Sequence, residues 1–211
     1  MKNFCLGVVV FLGLACSPTA KEKQGQTAEA SQKTQYVPER ELKYVEYAED
    51  VNAGKIPVDT LKTSARREAS GKVGNVEVKI NYGSPGVRGR VIWNGLVAYD
   101  QVWVTGAHTA TRVDFSHPVI IGNKEIPAGA YGFFSIPSAS EWTLILNRNY
   151  DQHLTDNYKE SEDVVRIQVK PVEHPIVQRL TYSVEKISDK EGAIAVCWEK
   201  IKVAMPFRVK E

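Results

Sequence analysis

The chain has 211 residues, with 27 Lys and Arg against 25 Asp and Glu, a formal net charge of +2 and 43% hydrophobic residues. Aromatic residues at 9% and charged residues at 25% exclude both a fully disordered chain and a multi-span membrane protein. The near-neutral balance excludes the broad basic field of a nucleic-acid binder, and three cysteines cannot build a disulfide scaffold.

Residues 1–15 read as an export signal. Lys2 supplies the positive start, and the run from Phe4 to Leu12 supplies an apolar core too short to cross a bilayer, which takes about 20 residues. Gly13-Leu14-Ala15-Cys16 follows and resembles the cleavage box of bacterial lipoproteins, in which the cysteine is acylated and becomes the first mature residue. Cys16 is therefore the expected lipidation site, although Gly13 stands where Leu is usual. Removing residues 1–15 takes away Lys2 alone and lowers the net charge from +2 to +1. Cys5 leaves with the signal and Cys16 becomes the anchor, so Cys197 is left without a partner, in the apolar run Ile194-Ala195-Val196-Cys197-Trp198. It reads as a buried thiol acting as a small hydrophobe.

Residues 16–57 read as a flexible tether. Positions 17–35 contain no Val, Ile, Leu or aromatic residue and cannot offset the entropy of ordering. Within the tether, Pro38 and the acids that follow it predict a short helix up to about Ala48, with Asn52 and Gly54 beyond its end.

Residues 58–211 read as an antiparallel β-sandwich, Ig-like or jelly-roll-like, of about nine or ten strands. Alternation of apolar and polar residues marks strands at Val76–Ile80, Thr111–Phe115, Trp142–Leu146, Val165–Val169 and Leu180–Val184. Gly122-Asn123 between two short apolar runs predicts a tight hairpin. Near the end, Ile194, Val196 and Trp198 hold even positions while Ile201 and Val203 hold odd ones. A strand cannot change face without an irregularity, so a bulge or break is expected around Glu199-Lys200. Pro206 suits an edge or a strand end.

Several segments carry a resemblance. They are Tyr82-Gly83-Ser84-Pro85-Gly86-Val87-Arg88-Gly89-Arg90, the run from Leu96 to Thr111, Ile126-Pro127-Ala128-Gly129-Ala130-Tyr131, Glu141-Trp142-Thr143 and Trp198-Glu199-Lys200. In this order, over about residues 60–206, they resemble the domain of unknown function 2911 (DUF2911) family of exported bacterial proteins. The resemblance implies a compact β-rich domain behind a signal peptide, without an established activity. Where the family pattern carries Arg, Asn and Glu, this chain has Val104, His108 and Thr109. The charged pair one would first nominate for chemistry is thereby lost.

The candidate ligand-binding residues are Trp103, Thr105, His108 and Thr111 in one loop, and Tyr150, Asp151 and His153 in the long connection from Asn147 to Asp163. The competing reading of the first group is a strand–turn–strand junction whose hydroxyls satisfy local backbone groups. Trp142 and Trp198 lie in alternating strands and read as core, whereas Trp93 and Trp103 flank loops. The four histidines lack the paired spacing of a zinc site, and the Asn147–Asp151 run lacks the Gly and Glu of a calcium loop, so no metal is expected. No nucleophile elbow, Walker loop or dinucleotide fingerprint is present, so no catalytic residue and no cofactor is expected.

The expected role is non-catalytic. The chain reads as a lipid-anchored envelope protein, in the outer membrane, that meets the membrane through its lipid and an envelope protein or glycan through the sandwich, with no nucleic-acid partner. Two alternatives stand beside it. One is a hydrolase-type enzyme using His108 with Asp100 or Asp151; the other is a structural subunit of an outer-membrane assembly.

Overall fold

A computed structural model describes residues 39–210. The segment 1–15 expected to direct export, Cys16 and the part of the expected tether up to residue 38 lie outside the described residues.

The order along the chain is helix α1 (Glu39–Asn52), then β1 (Ala65–Val73), β2 (Val76–Ser84), β3 (Thr111–Phe115), β4 (Val119–Ile121), β5 (Lys124–Ile126), β6 (Gly129–Ile136), β7 (Trp142–Asn147), β8 (Asp163–Val169), β9 (Val172–Lys186) and β10 (Glu191–Val209). One sheet has the order β1-β2-β3-β6-β7-β8 and the other β5-β4-β10-β9, with every pairing antiparallel. The expected β-sandwich is the observed fold. Its interior is closed by side chains from both layers: Phe133 of β6 meets Tyr182 of β9 at 5.7 Å between ring centroids, and Phe115 of β3 meets Phe207 of β10 at 6.0 Å.

The strands expected from alternation are all present. The Gly122-Asn123 hairpin forms as well, pairing Ile121 with Lys124, with Gly122 at φ +59° in the first turn position where a left-handed conformation is needed. Two strands escaped the period-two reading. β1 carries Ala69 and Gly71 on its inward face because β9 comes so close that a Cβ on Gly71 would sit 2.6 Å from the Val184 Cβ. β6 is buried on both faces, so apart from Ser135 its side chains are apolar on both and show no alternation. Phe133 points into the main core, while Phe134 enters a smaller one with Val104, Ala110 and Ile145.

The irregularity expected near Glu199-Lys200 is present. The β9–β10 ladder shifts register on both sides of Glu199, whose backbone is left-handed at φ +54°. Residues 178–180 of β9 stand opposite Trp198 alone, between the pairs Thr181–Cys197 and Val177–Glu199. Their backbone groups bond elsewhere: Val87 N–H donates to Gln178 O at 2.7 Å and Leu180 N–H to Pro85 O at 3.0 Å. Pro206 falls between the last β9 partner of β10, Lys202, and the first β4 partner, Arg208, where no ladder bond is required of it.

Helix α1 and the strap after it are bound to the sandwich. The Asn52 side chain brackets Arg179, donating to its carbonyl at 2.9 Å and accepting from its N–H at 2.7 Å. The Arg179 guanidinium, fully buried, pairs with Asp59 at 2.6 Å and donates to the carbonyls of Leu61, Thr63 and Ser84. Part of the stretch expected as tether is therefore fastened to the sheet.

Candidate functional site

The connection from β2 to β3 runs over residues 85–110 without a named strand, and it carries most of both longer segments of the resemblance. Its last part turns sharply. Thr105 and His108 both take left-handed backbone, at φ +48° and +63°, which costs a non-glycine residue energy and must be over-determined by its surroundings. Gly83 and Gly106 make the close approach feasible: a Cβ on Gly83 would sit 2.2 Å from the Ala107 carbonyl oxygen.

The hydroxyl knot beneath the turn supplies the determination. The Thr105 hydroxyl donates to Ser135 Oγ at 2.8 Å, and the Thr105 carbonyl accepts from Thr111 Oγ1 at 3.1 Å and from the Tyr182 phenol at 2.8 Å. Thr105 and Thr111 are both completely buried. Burial pushes the Tyr182 phenol well above its ordinary range, so it stays a proton donor to that carbonyl. Of the two readings of this segment, the junction describes Thr105 and Thr111: they brace a turn and do not face solvent.

The exposed members assemble beside it. The His108 carbonyl accepts from Leu154 N–H at 2.6 Å, Ala110 N–H donates to Gln152 O at 2.9 Å, and Thr109 bridges His153. The loop that carries Tyr150, Asp151 and His153 is thus strapped to the loop that carries His108. Buried Gln152 holds it from within, its amide nitrogen donating to Asn149 O and its oxygen accepting from Asn157 N–H. Asn147 does the same at the loop's entry, bonding Lys159 O, Asp163 and the Asn149 N–H. At the exit Tyr158 packs on Phe134 at 5.1 Å and donates to the Asp163 carboxylate at 2.8 Å. Burial chiefly, with Asp163 adding to it against Arg166, pushes the Tyr158 phenol up to about 12.

On this frame the polar groups have fixed places. The Arg112 guanidinium lies 4.7 Å from the centre of the Tyr150 ring and grips Asp114 through both Nε and Nη2. That carboxylate, outweighing desolvation, raises the Arg112 pKa, with smaller contributions from Tyr150 and Asp151. His153 Nδ1 is 3.0 Å from Asp156 Oδ2, and both groups are exposed. Among the described residues no hydrogen bond joins the His108 imidazole to Asp100 or Asp151, and no cluster of three His, Cys, Asp or Glu could hold a metal ion. The structure therefore brings the loop of His108 and the loop of Tyr150, Asp151 and His153 side by side through backbone bonds. Trp103 belongs elsewhere.

Trp103 joins a cluster that sequence reasoning did not foresee. All four tryptophans of the chain meet: Trp93 lies 4.8 Å from Trp142, 5.8 Å from Trp198 and 6.0 Å from Trp103, and Trp103 stacks on Trp198 at 5.8 Å. They surround a void of about 10 Å³ together with Val196, Ile201 and Val203. The change of face in β10 makes this convergence possible, since Trp198 before it and Ile201 after it line the same void. A second hollow, open and of about 600 Å³, lies between the β4–β5 hairpin and β8, with Lys124, Glu160, Val165 and Arg166 in its walls.

These features define a β-sandwich domain with a braced loop surface at one site and an aromatic cluster at another. The chain belongs to the family described as Protein of unknown function (DUF2911), whose profile matches residues 64–207. That span opens one residue before β1 and closes within β10, so α1 and the strap of residues 53–63 fall outside it. No curated protein and no solved structure matches the chain.

Proposed function

We propose that this is a lipid-anchored protein of the bacterial outer membrane whose sandwich binds an envelope protein or glycan and catalyses no reaction. The anchor rests on Cys16 at the end of the apolar run, where acylation with several chains would hold the protein stably at the membrane; one chain alone is marginal. The observation that carries the binding role is the loop surface of His108, Tyr150, Asp151 and His153. A loop whose backbone is held by the buried amides of Gln152 and Asn147 loses little entropy on meeting a partner, which is what preorganisation contributes to affinity. Tyr150 offers a ring edge, and the imidazoles and carboxylates offer donors and acceptors suited to sugar hydroxyls or peptide groups.

Two measurements test this reading. The wild-type chain should fractionate with membranes, and Cys16→Ala should move to the soluble fraction. Capture of the partner from detergent-solubilised envelopes should fall at least tenfold in the double variant Tyr150→Ala, His153→Ala while its thermal midpoint stays within a few degrees. Turnover of a small molecule by the purified chain, abolished by His108→Ala, would replace the binding role with a hydrolytic one.

A further inference from the structure

The tryptophan cluster differs from an ordinary core in two respects. The indole N–H groups of Trp93 and Trp198 are buried and have no hydrogen-bond acceptor among the described residues. Native interiors pair almost all such donors, so an orphan calls for an acceptor supplied from outside the chain. The void between the rings is also about the size of a single water-sized atom. An acceptor oxygen is what the two donors lack.

Trp93 is the ring placed to move. Its three partners are set in β7, in β10 and in the bridge that joins Trp103 to Ser135 of β6. Trp93 is only half-buried and sits on a turn that closes on itself, with Leu96 N–H bonding Val91 O and Val97 N–H bonding Ile92 O. Ile92 and Val97 root the base of that turn in the core, while Val91 and Leu96 stand 75% and 49% exposed on its outside. Trp93 lies in no named strand, so turning its side chain outward would cost its three ring contacts and no strand pairing.

We propose that Trp93 is a plug, and that the slot it fills is a binding site for a neutral, planar ring of about indole size carrying one acceptor oxygen. The slot is floored by Trp103, Trp142 and Trp198. Neutrality follows from the lining: the seven residues around the void are Trp, Val and Ile, so a charge there would be desolvated without a partner. Planarity follows from the rings themselves, whose edge-on contacts with Trp93 at 67° to 83° suit another flat ring in its place. The oxygen would take the Trp198 N–H. This slot shares no residue with the loop surface, and its variants leave Tyr150 and His153 untouched, so the two proposals fail independently.

The test uses the full chain labelled with nitrogen-15 and follows the four indole N–H signals during titration with 1-indanone or with indane, which differ by one carbonyl. In the wild type 1-indanone should shift the Trp198 signal saturably, while Trp103, already bonded to Gly106 O at 3.2 Å, moves little. Indane should bind at least tenfold more weakly. Trp93→Ala should bind 1-indanone at least tenfold more tightly, and Trp198→Phe should erase the preference for the ketone. No saturable shift in the wild type, with Trp93→Ala taking both compounds alike, would mean a cavity created by the substitution and would overturn the proposal. Equal binding of both compounds by the wild type would overturn it as well. Should Trp93→Ala fail to fold, the wild type and Trp198→Phe decide between these outcomes.

Discussion

The Arg179 guanidinium makes four hydrogen bonds from a position with no solvent exposure: to Asp59, Leu61, Thr63 and Ser84. A buried guanidinium has lost its hydration, so its partners are not interchangeable. Removing the one anion leaves an uncompensated interior charge. Asp59→Ala should lower unfolding stability in urea by about 3–5 kcal/mol, and Asp59→Asn, which keeps an acceptor, by less. Arg179→Lys should behave like a loss, because one ammonium cannot serve four acceptors that match a planar fork. Cys197 is the other residue with a definite forecast. Burial raises its thiol above the ordinary range, against a smaller opposing pull from Lys202, so the reactive thiolate is scarce at neutral pH. Its rate of alkylation by iodoacetamide in the folded protein should stay low at pH 7 and still be climbing past pH 9. A plateau below pH 8 would contradict this.

Among the elements, β10 shows how a local rule broken by one residue organises its neighbours. Glu199 holds φ +54° to let the strand change face, a conformation that glycine takes freely and β-branched residues resist. Glu199→Gly should therefore be neutral or stabilising by up to about 1 kcal/mol, and Glu199→Val destabilising by more than that, as read from chemical denaturation midpoints. This irregularity and the five alternating strands were legible from parity, because a half-buried face writes its period into the sequence, and the hairpin was legible from its Gly122-Asn123 turn. β1 and β6 were not legible. The inward side of β1 must be small to fit under β9, and β6 has no polar face. At the site, residue type misled where burial decided. A threonine that seals a turn and a threonine that meets a ligand look the same in sequence, and only the three-dimensional partners of Thr105 and Thr111 separate them. The tryptophan cluster draws on four segments from residue 93 to residue 198, a separation no local pattern reports.

At the scale of the whole molecule, one continuous core joins the two sheets from Val73 to Phe207. Cooperative loss is expected. Tryptophan emission, which reports the cluster beside β7 and β10, and the far-ultraviolet β signal, which reports all strands, should trace superimposable urea transitions. Separate midpoints would show that the cluster melts as its own unit. Helix α1 lies outside that core and is joined to the sheets through buried Ala48 and Val51, through Asn52 and Arg67, and through the Arg179 strap. In Asp59→Ala, amide exchange should accelerate over Ala48–Asn52 well before it does in β2 or β6.

That strap also has a mechanical meaning. A pull on the chain from the N-terminal side of α1 reaches the sandwich at β1, an edge strand paired on one side only, which alone would peel away one hydrogen bond at a time. The residues that Arg179 holds, Asp59, Leu61 and Thr63, lie upstream of β1 on that path, so its bonds to them stand between the pull and the strand. Tension from that side therefore meets the buried Asp59–Arg179 pair ahead of Ala65–Ser84, the first ladder pair of β1.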